Sequence, residues 1–442
     1  MLVNEDIANW LNCQQYVLKR RYYNDAEKKE TLVYESTQTT ANGKCPYCNS
    51  KVYADGYGYV TLKDMPYYPQ TNLEKVFVCH RYECMECGRK HTESIPQRHP
   101  GTRITERAAQ WIQGMLRHRI SIRAIQGLTG IHWETIRNLH LEIMERTLEA
   151  HKAELKAKGY HPKFLAVDEF ALHKGHTYAT CVMDLQSGEV LWVGKDRSKV
   201  AFEKFFEETD PSFLSEVRAV AMDMNASYYL LVKQYMPHAE IVYDRYHMQA
   251  QFGKDVLGVV RLSEAKAHKD RALEIKESLS NAEGEDRDRL KKEAKYEQHQ
   301  YSQIKKLRWP LLAKAESLSD AKAAHLADIL ETHSDLAVCY AMKEEMSALF
   351  NLRDPEAAKA GWEKWFVAAK ESNIPALVRF AELKEKRIDG LISHAVHPIS
   401  TGRLEGFNNT IKVAKRIAYG YRDHYYFFTL IKFQSLAFPK YP

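Results

Sequence analysis

The spacing of apolar and polar positions changes several times along the chain, and each change predicts a different kind of element. From Lys163 three runs, KFLAVDEF, HTYATCVMD and EVLWVGK, are rich in β-branched and aromatic residues and predict three strands. LQSG at 185–188 predicts a hairpin turn between the second and third. A helix near 201–208, a strand ending at Asp223, a helix over 227–235, a strand at 240–244 and a helix from Arg245 follow. Residues 262–395 carry helical spacing almost throughout, and the charged tract NAEGEDRDRLKKEAKYE within them reads as a solvated helix or a loose tip.

Upstream the pattern differs. EKVFVCHRYEC alternates and predicts a strand, whereas RAAQWIQGML has the spacing of an amphipathic helix. SIRAIQGLTGIHWETIRNLH is helical on both sides of a break at Gly127–Gly130. Residues 1–40 read as a helix or short strand with a loose connector. The expectation is a multi-domain α+β/α chain. A region 1–99 holds a zinc-binding module over about 41–99, and a helix-turn-helix covers 100–150. A ribonuclease-H-like α/β core follows, because β-β-β-α-β-α-β-α is the element order of that fold. It begins with 160–261, is interrupted by a long all-helical insertion at 262–395, and closes with C-terminal helices in 396–442.

A chain of 442 residues has room for two to four domains. The formal net charge of +6 is mildly basic, so local clusters say more about partners than the total does. No apolar run is long enough for a membrane-spanning helix, and MLVNEDIANWLN lacks a signal-peptide pattern. A cytoplasmic protein is expected. Five of the eight cysteines crowd between Cys45 and Cys87, which in a reducing compartment favours metal over disulfides.

Cys45-Pro-Tyr-Cys48 and Cys84-Met-Glu-Cys87 are paired knuckles, followed by Asn49 and Gly88, residues suited to a tight turn. Four thiolates close a tetrahedral Zn²⁺ site with no open position, hence a structural one; Cys79 and His80 are alternative ligands. In the helical region Ser121 suits a cap for a helix over 122–128, and Thr129-Gly130-Ile131 suits a turn. The next helix, from about His132, would offer His132, Glu134, Thr135, Arg137 and Asn138 to a DNA major groove. An ordinary helical hairpin has the same pattern.

Three acids then stand out. Asp168 lies in a strand and shares a face with Phe164 and Ala166, while Glu169 points the other way. Asp223 ends a strand, where ligand-facing residues collect in open α/β sheets. Glu405 lies on a predicted helix one turn before Asn408 and Asn409. Downstream, Lys412, Lys415, Arg416 and Arg422 interleave with Tyr419, Tyr421, Tyr425 and Tyr426. Basic groups neutralise phosphates and aromatic rings stack on bases, although a helix with a buried aromatic face looks the same.

Over nearly its whole length the chain resembles the DDE transposases of the ISL-three insertion-sequence family. The resemblance rests on VDEF (167–170), MDMNASY (222–228), YDRYHM (243–248), RWPLLAKAESLS (308–319) and GRLEGFNNTIKVAKRIAYGYRD (402–423). It implies metal-dependent DNA strand cleavage and strand transfer at the ends of a mobile element. Two Mg²⁺ or Mn²⁺ ions would be held by Asp168, Asp223 and Glu405. Asn408, Lys412, Lys415 and Arg416 would contact DNA. Asp244 and His247 also match the family pattern and would support the metals or the DNA; the plain alternative is that Asp244 caps the following helix. Expected partners are double-stranded DNA, as terminal inverted repeats and target, and a second copy of the chain to pair two ends. A nucleoid-associated cytoplasmic location follows. The competing class is a zinc-containing helix-turn-helix regulator with an inactive ribonuclease-H-like domain; a nuclease that cuts without joining is a third reading.

Overall fold

The structure, a computed structural model, describes residues 15–37, 44–67, 71–118, 120–173, 177–418 and 420–436. Cys13 and Tyr419 lie outside the described residues. The chain divides into two compact units, one of residues 1–154 with 415–433 and one of 155–414 with 434–442.

In the first unit, β1 (Tyr16–Asn24) and β2 (Lys29–Ser36) form a hairpin, where the sequence suggested a helix or short strand and a loose connector. The turn explains the difference: the Asn24 side chain accepts the N–H groups of Ala26 and Glu27, and Lys28 takes φ 46°. β3 (Val52–Asp64), β4 (Asn72–Cys84) and the short β5 (Lys90–Thr92) complete a sheet of order β1-β2-β4-β3, with β5 also pairing β4. Leu32, Tyr34, Leu62, Leu73, Phe77 and Cys79 fill its core.

Three helices follow: α1 (Glu106–Arg117), α2 (Ile122–Thr129) and α3 (Trp133–Ala157). Ser121 caps α2 through the N–H of Ala124, and Gly130 ends it in the left-handed region at φ 64°. Ile112, Leu116, Ile125, Ile131, Ile136 and Leu139 close one apolar core between them. A buried ion cluster ties this core to the sheet. Asp64 accepts from the Thr105 hydroxyl at 2.5 Å and from Arg107 Nε at 3.1 Å, and pairs with Lys75 at 2.9 Å. Burial would raise the Asp64 pKa, but Lys75, the Thr105 hydroxyl and Arg107 together hold it below the usual carboxylate range.

The second unit is built on a sheet of order β10-β9-β6-β7-β8. β6 (Phe164–His173), β7 (Thr177–Asp184) and β8 (Val190–Lys195) are antiparallel, and β9 (Ala219–Met222) and β10 (Glu240–Tyr243) run parallel to β6. Helices α4 (Lys199–Glu208), α5 (Ala226–Tyr235) and α6 (Arg245–Phe252) fall between and after them in the expected order. Leu165, Val167, Val220 and Met222 face Phe202, Phe205, Tyr228 and Leu231 in one core.

That core does not stop at the sheet. It runs through Phe252 and Val256 into the helical stretch, where Phe350, Trp362, Trp365, Phe366 and Phe380 pack together. The stretch contains α7 (Gly258–Ser278), α8 (Gly284–Lys306), α9 (Arg308–Leu312), α10 (Asp320–Thr332), α11 (Ser334–Leu349), α12 (Pro355–Glu371), α13 (Pro375–Glu385) and α14 (Ile388–Val396). The charged tract around 281–297 is helical over most of its length, as one of its two readings had it. α14 lies so close to β10 that a Cβ on Gly390 would meet the Tyr243 ring at 2.4 Å. α15 (Gly402–Ile417) and α16 (His424–Ser435) end the described chain. The expected C-terminal segment 396–442 is thus divided by its packing at residue 414, and Tyr426, Leu430 and Phe433 of α16 close a cluster with Met144 of α3. Among the described residues no helix is long and apolar enough to cross a membrane.

Candidate active site

Register brings the first two acids together. β6 and β9 are parallel neighbours whose ladder ends with Val167 opposite Met222, so the next residues, Asp168 midway along β6 and Asp223 just past the end of β9, follow side by side. Asp168 faces away from the packed core, while Glu169 on the opposite face accepts from the Tyr228 hydroxyl at 3.1 Å and lies 3.8 Å from Arg197. Asp223 is exposed, and its Oδ1 accepts the N–H of Met224.

The third acid arrives from α15. Asn408, one turn beyond Glu405, donates from Nδ2 to Asp168 Oδ2 at 3.0 Å. His247 Nε2 stands 3.5 Å from Glu405 Oε1 and 4.0 Å from Asp168 Oδ1. Burial raises the Asp168 pKa most; the Glu169 backbone N–H and His247 oppose it, while Glu405 and Asp223 add to it. Carboxylates near enough to repel one another in this way resist ionising together unless a cation joins them.

Asp244 holds these parts in place. It is buried, its Oδ1 accepts the N–H groups of Tyr246 and His247 at the start of α6, and its Oδ2 accepts the Thr401 N–H at 2.8 Å. The Thr401 hydroxyl in turn donates to Glu405 Oε1 at 3.0 Å. Capping by Asp244, one of its two readings, is therefore what the structure contains, and the cap also reaches the segment leading to Glu405.

The donor set suits a hard divalent cation, which takes carboxylate and carbonyl oxygens. Asn408 Oδ1 and His247 Nε2 are buried beside the carboxylates without a hydrogen-bond partner, orphaned atoms of the kind a bound ion or its water would satisfy. Among the described residues, the trio of acids and histidines whose ligand atoms all lie within 4.8 Å of one another is Asp244, His247 and Glu405. The oxygens of Asp244 are already engaged by three N–H groups, so we assign it to positioning.

Cys45, Cys48, Cys84 and Cys87 form a second cluster, with all four sulfurs within 4.8 Å of one another. Cys45 and Cys87 are 3.7 Å apart and Cys48 and Cys84 3.4 Å, against about 3.8 Å for sulfurs bound tetrahedrally at about 2.3 Å to zinc. The two turns match. Asn49 and Gly88 both take left-handed backbone, at φ 62° and 63°, and donate to the carbonyls of Cys45 and Cys84. The N–H groups of Tyr47 and Cys87 point at the sulfurs of Cys45 and Cys84. The Ser50 N–H, then its hydroxyl, pull the Cys48 thiol down to about 6. An N–H from Arg89 also favours the Cys87 thiolate, but desolvation and the neighbouring sulfurs outweigh it and push Cys87 up to about 12. Cys79 lies instead in the sheet core, and His80 pairs with Glu93.

The residues expected to meet DNA are placed unevenly. Asn138, Lys412 and Arg416 are exposed and Thr135 and Lys415 half-buried. Arg137 is engaged by Asp423, by the Asn138 side chain at 2.9 Å, and by the Tyr426 ring at 5.2 Å from its centroid. Asn408 is buried against Asp168 rather than on the surface. Of the downstream aromatics, Tyr426 is buried and bonds His140 at 2.6 Å, Tyr421 stacks on Phe427, and Tyr425 is exposed and donates to Glu145. Sequence reasoning missed Thr401, Arg403 and Arg387, whose guanidinium donates to the Met224 carbonyl beside Asp223. Only Thr401 carried a signal, as a threonine just ahead of a helix.

The model of the ISL3 group of DDE transposases, described as "Transposase", matches residues 165–431, which include all three acids. The transposase for insertion sequence element IS1001 of Bordetella parapertussis is 34% identical over 364 residues, 81% of this chain and 80% of that protein. The transposase for insertion sequence element IS1557 of Mycobacterium tuberculosis is 25% identical over 265 residues, 59% of this chain and 57% of that one. With a family match over more than half its length and a relative this similar over most of it, the chain belongs to the ISL3 family of insertion-sequence DDE transposases.

Proposed function

We propose that this transposase binds the ends of its element and cuts and joins DNA strands at a centre formed by Asp168, Asp223 and Glu405. The observation that carries the reading is the pairing of Val167 with Met222, which sets Asp168 beside Asp223, together with Asn408 and His247, which bring α15 and Glu405 to Asp168. The strand and helix order of the second unit supports a ribonuclease-H-like core.

Two divalent cations held by the three carboxylates would supply the charge that activates an attacking oxygen and stabilises a leaving one. The chain's own residues fix the geometry. Asn408 holds Asp168 in one rotamer, and Thr401 holds Glu405. Asp244 locks the start of α6 and hence His247, which sits between Asp168 and Glu405. Hydrolysis frees a 3′-hydroxyl at the element end, and that hydroxyl attacks a second phosphodiester. No covalent protein intermediate is needed.

The four cysteines would hold a structural Zn²⁺, since a closed set of thiolates leaves no open position. The surface of α3 near Thr135 and Asn138 would read base edges, and Lys412, Lys415 and Arg416 would meet phosphates. Two ends are joined in one event, so the working form would be a homodimer on DNA.

The test uses the full chain, a duplex ending in the element's terminal repeat, and Mg²⁺ or Mn²⁺. Nicking at the end followed by joining to a second duplex is expected. Cleavage without joining would reduce the reading to a nuclease, and binding without cleavage would replace it with the regulator.

A further inference from the structure

We propose that the turn between β7 and β8 is a socket for Arg403, and that Arg403 is a positioning residue for Glu405. The inference rests on Glu405 being the third carboxylate of the reading above. Arg403 precedes Glu405 by two residues in the first turn of α15. Its Nη1 donates to the carbonyls of Leu185 at 2.6 Å and Gln186 at 3.0 Å, and its Nη2 to that of Ser187 at 2.9 Å.

Three consecutive carbonyls converge on one guanidinium because Asp184 turns the same three peptides round. Its Oδ1 accepts the N–H of Gln186 at 2.9 Å, its Oδ2 accepts that of Ser187 at 3.3 Å, and its backbone carbonyl accepts that of Gly188 at 2.8 Å. In a trans peptide the C=O points opposite to the N–H. Three N–H groups drawn towards Asp184 therefore send three carbonyls the other way, and those are the ones Arg403 binds. Asp184 is fully buried and is held by the Ser187 hydroxyl at 2.7 Å and by the Tyr160 hydroxyl. Burial, then the Asp184 carboxylate, push the Tyr160 phenol up, so it remains a donor.

Gly188 is needed twice over. Its φ is +82°, and a Cβ there would lie 2.4 Å from Arg403 Nη2. The guanidinium is also the right group: its forked donors reach several acceptors at once, where an ammonium acts as a point charge. The LQSG turn is thus more than a connection between strands. With the Asp244–Thr401 hydrogen bond it pins the start of α15 on two sides, and the Thr401 hydroxyl then holds the Glu405 carboxylate.

The experiment compares wild type with Arg403→Ala, Arg403→Lys and Gly188→Ala in the full chain. It measures Mn²⁺ binding from the electron-paramagnetic signal of free Mn²⁺, Mn²⁺-dependent strand cleavage, and amide exchange in the first turns of α15 without metal. Arg403→Ala and Gly188→Ala should each weaken Mn²⁺ binding and raise the Mn²⁺ needed for half-maximal cleavage by about tenfold, with less change at saturating metal. Arg403→Lys should fall between them and wild type. Exchange at the start of α15 should quicken in both disruptive variants while the β6–β9 amides stay protected. An active wild type with variants of unchanged Mn²⁺ affinity and metal dependence overturns the role of Arg403. A wild type that neither binds Mn²⁺ nor cleaves refutes the proposed function instead. The socket is then judged by exchange alone, and unchanged exchange overturns it.

Discussion

The four thiols lie within 4.8 Å of one another, and Glu405 and Asp223 lie near enough to Asp168 to raise its pKa, but the two sets are brought together in different ways. Each cysteine pair sits in its own short turn, and the two turns repeat the same backbone: a left-handed residue after the second cysteine, an N–H back to the carbonyl of the first, an N–H to a sulfur. One strand pairing, Val52 with Cys84, then sets turn beside turn. The carboxylates have no such local template. Asp168 depends on strand order, Asp223 on a parallel register, and Glu405 on a helix whose Asn408 reaches Asp168 across 240 positions. A ligand set built from turns is fixed once the turns form; one built from long-range pairings needs clasps such as Asp244, Thr401 and Arg403.

That contrast is broken most severely at the carboxylates. Asp168→Asn, Asp223→Asn and Glu405→Gln each remove a negative charge at nearly constant volume, so folding and DNA-end binding should survive. Strand cleavage with Mg²⁺ or Mn²⁺ should fall by about a thousandfold or more, the scale on which loss of a principal electrostatic group slows an enzyme. Cleavage within tenfold of wild type by any one of them would remove that residue from the centre.

At the thiols the loss should be one of folding. The expectation is one equivalent of zinc by elemental analysis, absent after Cys84→Ser with Cys87→Ser or after a strong chelator. Proteolysis should then open the first unit and spare the sheet of the second. Retained zinc in the double variant would refute the ligand set.

The sequence made these two centres visible to different degrees. The cysteine cluster was readable because its signal is local: spacing, a turn-forming Asn49 and Gly88, and four identical ligands. The strand series 164–243 was readable because apolar runs and turns alternate cleanly, and Asp168 was separable from Glu169 by face alone. The N-terminal hairpin was hidden because β1 is mostly exposed and runs Val17-Leu18 then Lys19-Arg20-Arg21 then Tyr22-Tyr23 in blocks, so apolar and polar positions do not alternate along it. The clasp residues were hidden because their bonds run to backbone atoms of distant segments, and nothing in a sequence reports where a carbonyl points. The aromatic run at 419–426 was ambiguous in principle, since buried and base-stacking rings share one composition; Tyr426 packs in the interior, and Tyr421 stacks half-buried on Phe427.

A pH dependence should distinguish the packing of α16 on α3 from both centres. Burial pushes His140 down to about 4 from its ordinary 6.5, beside the Tyr426 hydroxyl and the Phe433 ring. A histidine held neutral in the fold stabilises it above its unfolded pKa, and that stability is lost as pH falls from 6.5 through 4. The expected loss is about 3 kcal/mol across that window, an order-of-magnitude figure from a drop of about 2.5 pKa units. Thermal melts of wild type and His140→Phe between pH 7 and 4 test it; parallel curves for the two proteins would show that His140 titrates without coupling to folding.

The smallest effect concerns recognition, and here the structure changes what the sequence suggested. Arg137 looked like a base contact at the start of a recognition helix, but its guanidinium is engaged by Asp423 and lies over Tyr426. An arginine so placed gives up an ion pair and a ring interaction, each worth about 1 kcal/mol or less when partly exposed, before it can reach a base. Arg137→Ala should therefore loosen the packing of α16 on α3 and lower the melting temperature by a few degrees, while preference for the cognate end falls little. Asn138→Ala, at an exposed position one residue on, should lower that preference by about 1 kcal/mol or more, the scale of discrimination that one side chain at a base edge supplies. Lys412→Ala with Arg416→Ala should weaken cognate and scrambled duplexes alike and reduce the slope of log affinity against log salt by about 2, one unit for each phosphate left unneutralised. Binding of both duplexes across a salt series separates the three outcomes. If Arg137→Ala abolished the cognate preference with the melting temperature unchanged, the arginine would have to leave Asp423 for DNA, and its ion pair would be a resting position rather than a brace.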